Sequence, residues 1–213
     1  MLSIFSQLCF GQNRSCKKNP LLSEIISCKK TTFKNKAQIY WQFNCDSSWL
    51  IFKNKNKKVV LDSQGLVELT GSLGYSSWTE YNNTFIIENR LASGCCEPPE
   101  IIVFNKNTGK KKINLGQSIY HSKIMKFPYV VMLDSINSNL IFFNVDNEKS
   151  FKINIPKGRI EKTMEIGNVI WAEELFNDGI IEDGIFKIEY RYEEVEEQWK
   201  TEKIEVDLKK YGS

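Results

Sequence analysis

Tyr129-Val130-Val131-Met132-Leu133, then Leu140-Ile141-Phe142-Phe143-Asn144, then Phe151-Lys152-Ile153-Asn154-Ile155 are three short runs rich in β-branched and aromatic residues. Asp146-Asn147, between the second and third runs, is turn chemistry. Runs of this length bounded by Asn and Asp read as strands, and two joined by so few residues read as a hairpin. The stretch predicts a leading strand followed by a hairpin.

The same order recurs upstream. Ile39-Tyr40-Trp41-Gln42-Phe43 leads to Leu50-Ile51-Phe52-Lys53-Asn54 and, through a Lys/Asn turn, to Val59-Val60-Leu61-Asp62. Thr84-Phe85-Ile86-Ile87-Glu88 leads to Ile101-Ile102-Val103-Phe104-Asn105 and, through Asn107-Thr108-Gly109, to Ile113-Asn114-Leu115-Gly116. Downstream, Val169-Ile170-Trp171-Ala172 is expected to open a fourth unit. Its hairpin arms are Phe186-Lys187-Ile188-Glu189-Tyr190-Arg191-Tyr192 and Ile204-Glu205-Val206-Asp207-Leu208. Apolar and charged residues alternate in both arms, so one face is wet. The fold class expected is all-β, antiparallel, with about four repeated strand-hairpin units and very little helix.

Phe52, Phe104 and Phe143 are spaced by 52 and 39 residues, and Phe85 and Val130 by 45. A period near 40 to 45 residues, with several strands in each, is that of propeller blades. Over residues 37 to 210 the units resemble WD40- or Kelch-type blades in length and strand order. The Gly-His and Trp-Asp marks of the first and the glycine pair of the second are absent. The resemblance implies a propeller-like arrangement. An irregular β-sandwich or an open barrel is the alternative.

Residues 1–12 are apolar and uncharged and end in Cys9-Phe10-Gly11-Gln12. This end resembles the tail of signal peptides in some exported bacterial proteins, although the basic front that such peptides carry is missing. The expectation is a signal-peptide remnant over 1–12, an N-terminal extension over 13–36 and one β domain over 37–213. Export to the periplasm or the extracellular space follows, with a cytoplasmic protein as the alternative. An ordinary first strand or a frayed terminus is the other reading of 1–12. Within the extension, Ser23 is a candidate cap for one short helix. No run of about 18 apolar residues occurs, so no membrane-spanning helix is expected.

Cys9, Cys16, Cys28, Cys45, Cys95 and Cys96 all lie in the first half. The disulfides expected are Cys16 with Cys28, and Cys45 with one of Cys95 or Cys96. No CxxC occurs, so a zinc ribbon is not expected.

The chain holds one histidine, His121, which excludes zinc sites built on two or three His ligands and leaves a single imidazole for any triad. It sits in Ser118-Ile119-Tyr120-His121-Ser122, and a place between units fits it better than a catalytic role. With 29 basic and 26 acidic side chains the charge is near balance, at +3. That argues against a nucleic-acid binder, and the runs Lys53 to Lys58 and Lys110 to Lys112 read as solvated hairpin tips. Asp178 to Gly184 reads as two tight turns rather than a calcium loop. Glu193, Glu194, Glu196 and Glu197 read as an exposed acidic tip.

The binding residues expected are Tyr75, Trp78 and Tyr81, with Pro98 and Pro99 stiffening the neighbouring loop. The alternative is that the aromatics cover the core. No catalytic set, metal or cofactor is expected. The function expected is a non-catalytic exported binding protein, of inhibitor, immunity or envelope type, with another protein as partner and its oligomeric state open. A carboxylate-dependent hydrolase with Glu88, Asp134 and Glu173 facing a propeller-like channel is the alternative, and a cytosolic regulatory protein is the third reading.

Overall fold

The structure is a computed structural model, and it describes residues 28–44, 47–65, 77–89 and 98–211. The described residues form four antiparallel sheets, one α-helix and two short 3-10 turns. The chain divides into two compact units, Met1–Gly74 with Asn107–Lys110, and Tyr75–Lys106 with Lys111–Ser213.

Unit one holds β1 (Thr31–Thr32), β2 (Gln38–Phe43), β3 (Ser47–Lys53) and β4 (Lys58–Gly65), hydrogen-bonded in sequential order. Ile39, Tyr40 and Trp41 of β2 are consecutive and buried, as are Leu50, Ile51 and Phe52 of β3. A strand that buries both faces reads as an unbroken apolar run. At the sheet edge, β4 has no fully buried residue. Gly109, in the turn Asn107-Thr108-Gly109, has φ 64°. A Cβ there would lie 2.8 Å from Phe52 Cγ, so both the backbone and the space require glycine.

Unit two holds three sheets. The first is β5 (Ser77–Glu80), β6 (Thr84–Asn89), β7 (Glu100–Asn105) and β8 (Lys111–Gln117). The second is β9 (Tyr120–His121), β10 (Tyr129–Leu133), β11 (Asn139–Asn144) and β12 (Ser150–Asn154). The third is β13 (Ile180–Glu182), β14 (Ile185–Glu193) and β15 (Trp199–Asp207). Each is a sequential meander, the strand order of a propeller blade, and in that sense the all-β chain is propeller-like.

Within unit two the second sheet is packed on both sides. Val130 and Met132 of β10 join Ile86, Ile101 and Val103 from the first sheet and Tyr81 from the β5–β6 connection. Tyr129 and Val131, on the opposite face, join Leu140, Phe142 and, from the third sheet, Phe186, Ile188 and Tyr190. The period of two thus splits one apolar run between two cores. Each such side chain contributes about 1.5–3 kcal/mol of burial.

The fourth unit departs from expectation. Val169-Ile170-Trp171-Ala172 forms no strand, and Ile170 is 75 % exposed. The helix α1 (Arg159–Gly167) and a 3-10 turn (Ala172–Leu175) stand in its place. Ile160, Thr163 and Met164 pack inward at helical spacing, and Asn168, at φ 50°, caps the helix by donating its N–H to the Met164 carbonyl. Thr163 Oγ1 also accepts from the Glu193 N–H at 3.1 Å, tying the helix to β14. Glu193 is buried, which removes it from the acidic tip. One tight turn, not two, lies in Asp178 to Gly184. Asp183 and Gly184, at φ 51° and 81°, close the β13–β14 hairpin.

Two hairpin tips are tied down alike. In unit two Asp146, between β11 and β12, accepts the backbone N–H groups of Asn82, Asn83 and Thr84 at 2.9–3.0 Å and the Thr84 hydroxyl at 2.9 Å. In unit one Asn107 accepts Asn35 Nδ2 on its side-chain oxygen at 3.0 Å and Asn54 Nδ2 on its backbone carbonyl at 2.7 Å.

Cys28 is disulfide-bonded, and the cysteine it pairs with lies outside the described residues. Cys16, Cys45, Cys95 and Cys96, residues 1–12 and the Ser23 cap also lie outside them, so the pairings and the leader remain expectations. No helix among the described residues is long and apolar enough to cross a membrane.

Candidate functional site

β9 is only two residues long, yet its register sets a site. His121 lies opposite Val130, and Tyr120 opposite Val131. Side chains alternate across a strand, so the two point to opposite faces. The Tyr120 ring goes to the third sheet, 5.1 Å from Phe186. His121 goes to the first sheet and meets Glu88. On β6, Glu88 is two residues beyond the core residue Ile86 and so shares its face.

His121 Nε2 lies 3.2 Å from Glu88 Oε1, with the side chains 13 % and 18 % exposed. The approach is close without the alignment of a hydrogen bond. Glu88 Oε1 also accepts the Ser77 hydroxyl at 2.5 Å, from the residue opposite on β5. Burial pushes the imidazole below its ordinary pKa. The Glu88 carboxylate opposes this shift, and Lys123 adds to it. The ring is therefore held neutral at neutral pH.

The pair stands in a cleft of about 580 Å³ within unit two. Pro99, Tyr120, Lys123 and Asp178 line it, together with Ile124 and Ile180. The two isoleucines are 40 % and 47 % exposed, high for such side chains beside a cavity. Gly179, also in the lining, is in tight quarters, since a Cβ there would be 2.7 Å from the Phe186 ring.

The expected binding residues separate. Tyr81 is fully buried, and its hydroxyl donates to the Ser122 carbonyl. It is a core residue between the first and second sheets of unit two, not a surface anchor. Burial, with Tyr120, Asp146 and Glu88 nearby, raises its pKa far above the usual tyrosine range. Trp78 is half-buried on β5, opposite Ile87. Pro98 and Pro99 are half-buried, and Pro99 reaches the cleft. Tyr75 lies outside the described residues.

Of the three carboxylates, only Glu88 lines this cleft. Asp134 serves its own turn. Burial would raise its pKa, but bonds from Asn139 and Ser138 outweigh that and hold it below the usual range. Glu173 sits in the 3-10 turn, where burial raises its pKa. Asp178 is the second acid of the lining, and sequence reasoning assigned it to a turn. Among the described residues no group of three His, Cys, Asp or Glu side chains is placed to hold a metal ion.

The run Lys53 to Lys58 spans a tip as expected, with Asn54 to Lys57 closing the β3–β4 hairpin. Lys111 and Lys112, in contrast, already belong to strand β8, and Lys112 pairs with Glu148 at 2.5 Å.

No family model matches the chain, and no curated protein matches it. Among solved structures, an alpha-L-arabinofuranosidase from Clostridium thermocellum aligns over 84 % of this chain and 67 % of its own, at 11 % identity and a TM-score of 0.26. A likeness so loose carries no argument about activity, and the description of the fold rests on the sheets themselves.

Proposed function

We propose that the protein is a non-catalytic binding module, exported, and that the unit-two cleft is where it receives a protein partner. The observation that carries this reading is the mouth of the cleft, where Ile124 and Ile180 are exposed around an acid–imidazole pair already engaged with its neighbours. Exposed apolar side chains with a polar rim are the composition of a recognition patch. Pro99 stiffens one wall, which lowers the entropy lost on binding. Glu88 already accepts the Ser77 hydroxyl on Oε1, the oxygen that faces His121, which makes it less available as a free general acid or base.

The test has two arms. In the first, the protein is incubated with a panel of aryl glycosides, polysaccharides, esters and peptides, and no product is expected. Turnover abolished by Glu88→Gln or Asp178→Asn would establish the hydrolase reading instead. In the second, a photo-crosslinking side chain is placed at Ile124 and, separately, at Trp199, which is exposed on β15. Crosslinking to one defined protein from Ile124 and not from Trp199 is the expected result. Mass spectrometry of the mature chain tests export, where loss of the first residues is expected and an intact Met1 would return the protein to the cytoplasm.

A further inference from the structure

We propose that unit one carries a second binding site, for an anionic oligosaccharide, meaning a hydroxyl-rich chain bearing carboxylate or sulfate groups. The site is a cleft of about 660 Å³, within the range of roughly 300–1,000 Å³ typical of ligand sites. Lys36, Lys53 and Lys55 line it, and every other lining residue among those described is an asparagine or glutamine. Among the described residues of the lining there is no acid and no aromatic ring.

The amides build the walls. Asn107 binds Asn35 on one side and Asn54 on the other. The Asn54 side chain, through its oxygen, also accepts the N–H groups of Asn56 and Lys57, both at 2.9 Å. Three separate segments are thereby fixed around one cavity, which is pre-organisation. Lys36 adds a backbone observation. Its φ of 68° is unfavourable for a residue with a side chain, and the turn holds it there through the Lys36 N–H to Phe33 carbonyl bond.

The lysines supply the charge. None of Lys36, Lys53 and Lys55 has a carboxylate within ion-pair distance among the described residues. The overall charge of +3 conceals a division. Unit one has 12 basic and 4 acidic side chains, while unit two has 17 and 22. Near balance in the whole chain therefore says nothing about this cleft. Like charges around a concave surface raise the local concentration of anions.

The lining also selects the kind of anion. Single-stranded nucleic acids are held by basic grooves with aromatic rings on which bases stack. Among the described residues this cleft has no ring, and its amides instead offer donors and acceptors to hydroxyl groups. Lysine, a compact point charge, pairs with carboxylate or sulfate without bidentate geometry.

The experiment is calorimetric titration of the full chain with four probes: a heparin hexasaccharide, an oligogalacturonate of equal length, a neutral dextran oligosaccharide and an oligo-dT strand of matched charge. Binding of the heparin probe, the uronate probe or both is expected, weakening as salt rises. Binding of one alone identifies sulfate or carboxylate as the recognised group. The triple variant Lys36→Gln, Lys53→Gln, Lys55→Gln changes only exposed side chains and should weaken binding at least tenfold and flatten the salt dependence. A control removing three exposed unit-two lysines, Lys152→Gln, Lys157→Gln, Lys210→Gln, should leave it unchanged. The proposal is overturned if neither acidic glycan binds, if oligo-dT binds more tightly than both, or if the control loses as much as the cleft variant.

Discussion

The two tied hairpin tips, Asn107 in unit one and Asp146 in unit two, do the same mechanical task with different chemistry. Each follows the second strand of its hairpin unit by two residues and binds a turn that precedes a leading strand. Asp146 is a carboxylate and takes three backbone N–H groups and a hydroxyl. Asn107 is neutral and offers one side-chain oxygen and its backbone carbonyl. The repeat needs an acceptor at this place, not a charge. Because unit one uses an amide, the lysines around its tip have no carboxylate at their centre. Unit two neutralises its tip with several donors. The difference separates what the fold requires from what leaves a surface ready for anions.

The severest way to break the unit-one tip is Gly109→Ala. The positive φ costs about 1–3 kcal/mol, and the collision with the buried Phe52 ring adds roughly 1–3 kcal/mol of overpacking. A large fall in the denaturation midpoint is expected. Gly116→Ala has a similar φ, 72°, and open space around the new Cβ, so it should cost only the backbone part. Equal losses in the two variants would show that Phe52 moves aside.

Asp146→Ala attacks the other tip. Hydrogen bonds to a charged acceptor are worth about 1.5–3 kcal/mol, and water replaces some of them here, so a loss of about 2 kcal/mol is expected. Amide exchange at Asn82, Asn83 and Thr84 should accelerate together. Unchanged protection at all three would mean that the turn holds itself.

Beside that tip, Tyr81→Phe deletes the hydroxyl bound to Ser122 and leaves a buried carbonyl unpaired, at a cost of about 1–2 kcal/mol in urea titration. No loss would show that water reaches the vacated position. Asn107→Ala should cost least, roughly 0.5 kcal/mol, since the Asn35 bond it removes is exposed and the backbone carbonyl that binds Asn54 stays. A loss matching that of Asp146→Ala would erase the contrast between the tips.

The gentlest probe is pH. Burial lowers the folded pKa of His121, so the unfolded chain binds its proton more readily. The stability from this residue is present above the unfolded value, about 6.5, and is lost as pH falls through the depressed folded value. Stability should decline between neutral and mildly acidic pH, and His121→Gln should remove that part of the decline. An unchanged slope in the variant would place the titration elsewhere.

Much of the fold was legible because strands and turns are local. The run Tyr129 to Leu133 reads as an apolar leading strand, and Asp146-Asn147 reads as the turn of the hairpin after it, without knowledge of neighbours. Val169-Ile170-Trp171 misled because its β-branched residues favour a strand, whereas the helix just before it wins through the packing of Ile160 and Thr163 and the cap at Asn168. Tyr81 looked like an anchor because loop aromatics often are. Only its contact with Ser122, 41 residues away, makes it core.

By itself the sequence determined the antiparallel strands, their repeat and the turns between them, because side-chain alternation and turn residues act over a few positions. Tertiary structure decided the rest. It brought Glu88 to His121, since facing residues of two packed sheets have no fixed separation along the chain. It also gathered Lys36 with Lys53 and Lys55 around one cleft, in a chain whose charges nearly balance. Composition sums charges over the whole chain, and a field depends on where each one stands.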